Sequence, residues 1–520
     1  MRITNKIIQN NAINNVNINK ILEDKLNTQL STGSKISRPS DDPVIAIRAL
    51  RLRTSLSQVQ QYGRKNVPDA TSWLKVTEAA IDTTSTVLTD MRKECVNGST
   101  SYKTPEDRKK ILDTLKALRD EIYATGDADY AGRYVFTGYR TDTSLTFGTS
   151  YKSAKPYAIT EQLTKNAMDT IDYVNVAGMG SMTAQDVLTS AVKPADVEAT
   201  QIHRIRLAYD NLDSAAGSFS VTLPDGSAVF AGGIQTVSAN ASPNAYDTLV
   251  GIKGDTDAKA VFVPETGELL LNDAAFNQIA GMKDDATTPA VNEGEIRITY
   301  SKSNFVANDL RPEHYFNCKT QNADGKMIEY NKEFLDPQYV DAQIINYDVG
   351  YNQQIRVNTM AKEVYTHDIG REVDEIISAI ESSLQMSDIL TDMKAKLEGA
   401  TESTTPTKEQ VQTKLDAVQK AYDLLEDKLQ KAFESGITSM QGYLDRTSNA
   451  LTECGSRQSR VDLVANRLSA QETSFKELNS ENEDADVAEV AIQLGSVEMS
   501  YQAALMATGK ISQTSLLNYL

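Results

Sequence analysis

The chain has 520 residues and a formal charge of −18, with 53 Lys and Arg against 71 Asp and Glu. That balance argues against an unaided role on nucleic acid or an anionic membrane, where a basic footprint is the rule, and the length suits two to four domains. No run of about 18 apolar residues occurs, so no transmembrane helix is expected. Cys95, Cys318 and Cys454 form no Cys-x-x-Cys and suit neither a disulfide framework nor a zinc site. Cys95 continues a seven-residue ladder from Leu74, Ile81 and Leu88, and Cys454 also falls on an apolar stripe, so both are expected in core.

The first residues, Met1-Arg2-Ile3-Thr4-Asn5-Lys6, do not form a secretory signal. Seven of the first twenty residues are Asn and no apolar stretch follows, so any export is expected to proceed without a cleaved signal. Ile18, Leu22, Leu26 and Leu30 give residues 1–32 a helical pattern. The asparagines lower helix propensity, which predicts a segment marginal alone and ordered on packing. Arg38-Pro39-Ser40-Asp41-Asp42-Pro43 reads as a loop entering a helix, with Ser40 as N-cap, two acids at the positive end of the dipole and proline in the first turn. Ile45, Ala49, Leu52, Leu56 and Val59 then step by 4-3-4-3. Pro68 predicts a kink or joint, after which Trp73, Leu74, Ile81 and Leu88 open a second helical run.

Thr104-Pro105-Glu106-Asp107 is another capped start, with the Thr-x-x-Asp spacing of a reciprocal cap and a stripe at Ile111, Leu115, Leu118 and Ile122. After Gly126 the texture changes, and Tyr130–Tyr139 reads as strand or hairpin. Residues 143–360 are rich in Gly, Pro, Thr and Asp. Val261-Phe262-Val263 and Leu269-Leu270-Leu271 flank a turn, and Ile296, Ile298 and Tyr300 alternate, as do Ile345, Tyr347 and Val349 before Gly350. Helical periodicity returns with Ile376, Ile380 and Leu384, then breaks at Glu402–Pro406.

Three stripes follow. Val411, Leu415, Val418, Tyr422, Leu425, Leu429 and Ala432 alternate 4-3. Ile437, Met440, Leu444, Thr447, Leu451, Cys454, Gln458, Val461, Ala465 and Leu468 keep that alternation. Val487, Val490, Leu494, Val497, Tyr501, Ala504, Thr508, Ile511 and Ser515 form the third. A 3.5-residue repeat asks for a partner helix, and residues 411–468 as one helix reach roughly 85 Å at about 1.5 Å per residue. The terminal arms are expected to bury these stripes on each other or on other copies. Their charges agree. Residues 1–65 hold eleven basic and four acidic residues (net +7), and residues 471–520 hold two and eight (net −6).

Chemistry is scarce. His203, His314 and His367 are dispersed, and no His-Glu-x-x-His, phosphate loop, dinucleotide fingerprint or Gly-x-Ser-x-Gly is present. Glu481, Glu483, Asp484 and Asp486 lack calcium-loop spacing and read as a break and N-cap before Val487. No catalytic residue, metal ligand or cofactor is expected, and the protein is read as no enzyme.

Several ordered motifs resemble one family. Met1-Arg2-Ile3-Thr4-Asn5, Gln29-Leu30-Ser31-Thr32-Gly33-Ser34-Lys35-Ile36 and Arg38-Pro39-Ser40-Asp41-Asp42-Pro43 are similar to the amino-terminal signature of bacterial flagellins and flagellin-like hook-associated proteins. Trp73-Leu74 with Thr77-Glu78-Ala79-Ala80, Gly132–Gly138, Asn466-Arg467-Leu468 and Asp484–Glu489 continue the resemblance, which covers roughly 1–142 and 345–520. Tyr501–Leu505 and Ile511–Leu520 resemble the tail of the family's hook–filament junction members rather than of its filament subunits, although the larger middle region keeps a filament subunit as the alternative.

The resemblance implies a mainly α fold with a β-rich insertion. Residues 1–42 with 480–520 would form a terminal coiled-coil core, 43–142 with 361–479 a helical rod domain, and 143–360 a surface-exposed middle domain. It further implies an extracellular subunit of the bacterial flagellum, exported through the flagellar type III apparatus. Its implied partners are copies of itself, the first hook-associated protein, flagellin and a cytoplasmic export chaperone. Assembly contacts are expected at Ile18, Leu22, Leu26, Leu30, Leu494, Val497, Tyr501, Leu505 and Ile511. The rival from another class is an extracellular binding protein whose β-rich middle takes a ligand.

Overall fold

The computed structural model describes residues 5–100, 103–148, 156–215, 217–282, 294–321, 324–335, 343–401 and 406–513. Its helices are α1 (Asn5–Thr32), α2 (Pro43–Gln61), α3 (Val67–Gly98), α4 (Pro105–Ala124), α5 (Ala184–Thr189), α6 (Ala245–Ile252), α7 (Asp273–Ala280), α8 (Ala361–Val364), α9 (His367–Gly399), α10 (Lys408–Glu483) and α11 (Val487–Gln513). The strands are β1 (Asp129–Tyr130), β2 (Arg133–Tyr134), β3 (Tyr157–Leu163), β4 (Met168–Asn175), β5 (Glu198–Arg206), β6 (Phe219–Thr222), β7 (Ile234–Thr236), β8 (Ala260–Val263), β9 (Glu268–Leu271), β10 (Ile296–Lys302), β11 (Asn317–Gln321), β12 (Met327–Tyr330), β13 (Asn346–Gly350) and β14 (Gln353–Arg356). Long helices thus stand at both ends and β-structure fills the middle. Two compact units result: residues 1–71, 347–355 and 459–520 in one, and 72–346 with 356–458 in the other.

In the first unit α1 ends where α11 begins, so the two helices pack antiparallel. Gly33 takes φ +66° and its N–H donates to Gln29 O at 2.8 Å, a left-handed close that a side chain would strain. Lys35 N–H then donates to Glu483 O (2.6 Å) and Ala485 N–H to Gly33 O (2.8 Å), pinning the exit of α1 to the entry of α11. Asp486 caps α11, accepting from Ala488 N (2.9 Å) and Glu489 N (3.2 Å), as the acidic break predicts. The cap of α2 differs from expectation. Asp42, rather than Ser40, accepts from Val44 N and Ile45 N, while Asp41 folds back on Ser37 N and Arg38 N. Ser40 lies two residues too early because Pro43 occupies the first helical position. Pro68 does not end the helix, which stays helical from Pro43 to Gly98 across it. A π-helical turn, Tyr62–Asn66, joins α2 to α3 instead.

The second unit holds a helical core in which Leu74, Ile81, Leu88 and Cys95 are all fully buried, as their seven-residue ladder predicts. Thr104 caps α4 at Asp107 N (3.3 Å). The long helix carries its buried stripe one residue off the expected register. Met440, Thr447, Cys454, Val461 and Leu468 are buried, but Gly436, Ala450, Arg457 and Val464 alternate with them in place of Ile437, Leu451, Gln458 and Ala465. Small Gly436 is chosen there by packing, since a Cβ would lie 2.5 Å from Ile376 Cδ1. Nor do the arms bury their stripes only on each other. Val411, Leu415, Val418 and Leu425 share a core with Met386, Ile389 and Met393 of α9 and with Val174, Met179, Val187 and Val197 of the middle region.

That middle region is two five-stranded sheets, ordered β12-β11-β3-β10-β6 and β4-β5-β9-β8-β7. Ile159 of β3 lies between Tyr300 of β10 and Cys318 of β11. Ile296, Ile298 and Tyr300 all point inward with the period of two that their spacing predicts. They meet Ile205, Phe262 and Leu269 of the other sheet. The expected hairpin at 261–271 forms β8 and β9, buried on every residue because α6 covers the outer face at Val261, Val263 and Leu270. Tyr130–Tyr139 yields only the two-residue pair β1 and β2, turning at Ala131 and Gly132.

Candidate assembly surface

The terminal pair presents two apolar faces on each helix, and only one is covered. On α11, Val490 is buried and Leu494, Val497, Tyr501, Ala504, Thr508 and Ile511 are half-buried, the 4-3 stripe read from the sequence except at its first position, Val487, which is exposed. On α1 the covered positions are Ala12, Val16, Asn19, Glu23, Leu26 and Leu30, of which Leu26 is the most buried at 4 % exposure. The polar Asn19 and Glu23 also lie in this covered face.

The structure divides the nine residues expected to make assembly contacts. Leu26, Leu30, Leu494, Val497, Tyr501 and Ile511 face the partner helix of the same chain, while Ile18, Leu22 and Leu505 remain exposed. Ile18 belongs to a second stripe with Ile7, Ile21 and Leu22, about a third of a turn round the helix from the first, at 42–69 % exposure. On α11 the counterpart is Ile492, Met499 and Met506, exactly seven residues apart and 67–75 % exposed. These three were missed by the sequence reading, although their heptad spacing was visible in it. The stronger stripe next to them drew the assignment. Fully burying one such side chain contributes about 1.5–3 kcal/mol, so exposed runs on both helices are apolar surface suited to other chains.

A third patch lies on α2, where Val44, Ile47 and Leu50 are 52–60 % exposed beside Arg48 and Arg51. Its opposite side is tied down by charge. Arg53 meets Glu483 at 2.7 Å, and Arg64 and Gln60 converge on Glu472 at 2.5 and 3.2 Å. Together with Lys476, these donors hold the Glu472 carboxyl down at about 2. The opposite net charges of the two ends are therefore used within one chain. At the tip of the β13–β14 hairpin Tyr351 is 86 % exposed, and the hairpin is anchored by Asn66 Nδ2 donating to Asp348 O at 2.7 Å and by Tyr347 Oη donating to Asp69.

A profile described as the bacterial flagellin N-terminal helical region matches residues 3–141, and one described as the bacterial flagellin C-terminal helical region matches residues 437–520. Both ends of the chain are thus similar to the helical arms of the flagellin family. Among flagellin-family relatives, flagellar hook-associated protein 3 of Escherichia coli is 25 % identical over 205 residues, covering 39 % of this chain and 62 % of that protein. The Salmonella typhimurium protein of the same name is 26 % identical over 145 residues, 45 % of its length. A flagellin of Clostridium tyrobutyricum is 31 % identical over 122 residues, 32 % of its length. The chain thus spans about half to three-fifths of the hook-associated relatives it matches. A solved flagellar hook-associated protein from Vibrio parahaemolyticus aligns over 85 % of this chain at 12 % identity with a TM-score of 0.35. The flagellin profiles coincide with the helices that carry the exposed stripes. The signature tail beyond residue 513 lies outside the described residues.

Proposed function

We propose that this chain is a structural subunit of the bacterial flagellum, placed at the hook–filament junction. There it would link the first hook-associated protein to the flagellin filament. The observation that carries this reading is the antiparallel α1–α11 pair. It is closed on one face, yet it leaves Ile18, Ile21 and Leu22 on one helix and Ile492, Met499 and Met506 on the other open for neighbouring copies. The junction placement is supported by the hook-associated protein 3 relatives and by the tail at Tyr501–Leu505. In this reading residues 1–42 and 480–520 form the inner core, 43–142 and 361–479 the rod, and 143–360 the outer surface. The subunit acts by contact and not by catalysis, and it functions outside the cell after export by the flagellar type III route.

The proposal predicts that Ile18→Asp with Met499→Asp leaves the helical circular dichroism of the isolated subunit unchanged and abolishes its incorporation into flagella. Normal incorporation of that double variant refutes it. The same open stripe is proposed to be covered before export by a cytoplasmic chaperone. Removing residues 481–520 is then expected to eliminate chaperone binding in a pull-down, and undiminished affinity would sink that part. The flagellin relatives, one at 31 % identity, keep a filament subunit as the second reading.

A further inference from the structure

In the second unit β4, β5 and β9 face α9 and α10 across a cavity of about 550 Å³, within the roughly 300–1,000 Å³ that small-ligand sites occupy. Its wall mixes four cations with five carboxylates, and the carboxylates already have partners. Arg204 holds Glu268 at 2.5 Å and Glu375 at 2.6 Å, and Arg206 also reaches Glu375 at 2.9 Å. Glu265 accepts from Ser238 at 2.5 Å, Asp374 from Arg119 at 3.1 Å, and Asp210 from Lys302 at 3.5 Å.

Two donors on the same wall are different. Lys428 Nζ makes no hydrogen bond or ion pair within 4 Å among the described residues, and the buried Nε of Arg371 has no acceptor. A buried donor without an acceptor costs about 1–3 kcal/mol, so Arg371 Nε gains from a ligand that supplies oxygen, and the half-buried Lys428 can donate to the same ligand. At the edge of the cavity Tyr173 and Tyr246 stack with centroids 5.0 Å apart and planes 14° apart. Tyr246 Oη donates to Glu268 (2.7 Å) and Tyr173 Oη to Asp247 (3.0 Å), which fixes both rings.

From the juxtaposition of this rigid aromatic pair with available donors in a cavity whose carboxylates are already partnered, we infer that the middle region carries a binding site for a neutral saccharide. Sugar hydroxyl oxygens accept from Lys428 and Arg371, and the apolar face of a pyranose lies against an aromatic ring. An anionic ligand is disfavoured, because the wall holds one more carboxylate than cations and the whole chain carries −18. The site is independent of the assembly surface, so its failure leaves the flagellar reading standing.

The test is saturation-transfer NMR on the full-length monomer with maltose, lactose and N,N′-diacetylchitobiose as probes, and sialyllactose as the charged control. At least one neutral disaccharide is expected to receive saturation, and sialyllactose less than lactose. Ser378→Trp, at an exposed α9 position on the rim, and Lys428→Met are each expected to weaken that binding about tenfold or more, equivalent to about 1.4 kcal/mol. Because Ser378 is exposed, its variant tests the site even if Lys428→Met perturbs folding. Transfer to none of the three neutral sugars, equal or stronger transfer to sialyllactose, or binding unchanged in Ser378→Trp overturns the inference.

Discussion

Glu161 shows how one residue couples the middle region to pH. Its carboxylate is enclosed between the two sheets, accepting from Tyr300 Oη and from Ala208 N (2.9 Å), and burial raises it to about 7. An acid whose folded value exceeds its unfolded value of 4.5 binds its proton more tightly in the fold. Its stabilising contribution is therefore complete below about pH 4.5 and is lost as pH rises to about 7. Glu161→Gln, which resembles the protonated form, is expected to flatten the dependence of melting temperature on pH across that window. The wild-type loss is on the order of a few kcal/mol. A variant with the wild-type slope would show that another group dominates. Nothing in the sequence marked Glu161, because its environment is created by strands distant in the chain.

At the scale of elements, Leu26 is the most buried anchor that α1 contributes to the α1–α11 pair. Leu26→Ala removes the most buried side chain of α1 and is expected to cost about 2–3 kcal/mol of local stability. Hydrogen exchange should then speed in both helices while that of α3 and α9 is unchanged; uniform acceleration would mean that the pair does not unfold locally. The heptad stripe of α11 was legible because a 3.5-residue repeat survives any partner. What covers it was not, since the same repeat suits a helix of the same chain or of a neighbour. Caps show the same limit at finer grain. Asp486 and Thr104 were legible from spacing alone, whereas Ser40 was preferred to Asp42 because several cap-forming residues stand in a row and only backbone geometry chooses among them. The one-residue shift in α10, from Ile437 to Gly436 and from Leu451 to Ala450, has a similar origin. Tight helix packing favours the smaller residue, while periodicity counts the larger one.

For the whole molecule, the order of helices, β-rich middle and helices was legible from where periodicity changes. The two-sheet arrangement was not, because it rests on pairings such as Ile159 with Tyr300, which are 141 residues apart in sequence. Nor did the sequence reveal that the Val411–Leu425 stripe packs on the middle region, since stripes do not name their partners. The central claim, that the exposed stripes serve a junction and not a filament, concerns number. Quantitative mass spectrometry of sheared, purified flagella gives the ratio of this chain to the hook protein. The account predicts a ratio well below one, as a short ring at the hook's end requires. A ratio far above one would make the chain a filament subunit and contradict the junction placement, and its absence from flagella would contradict both.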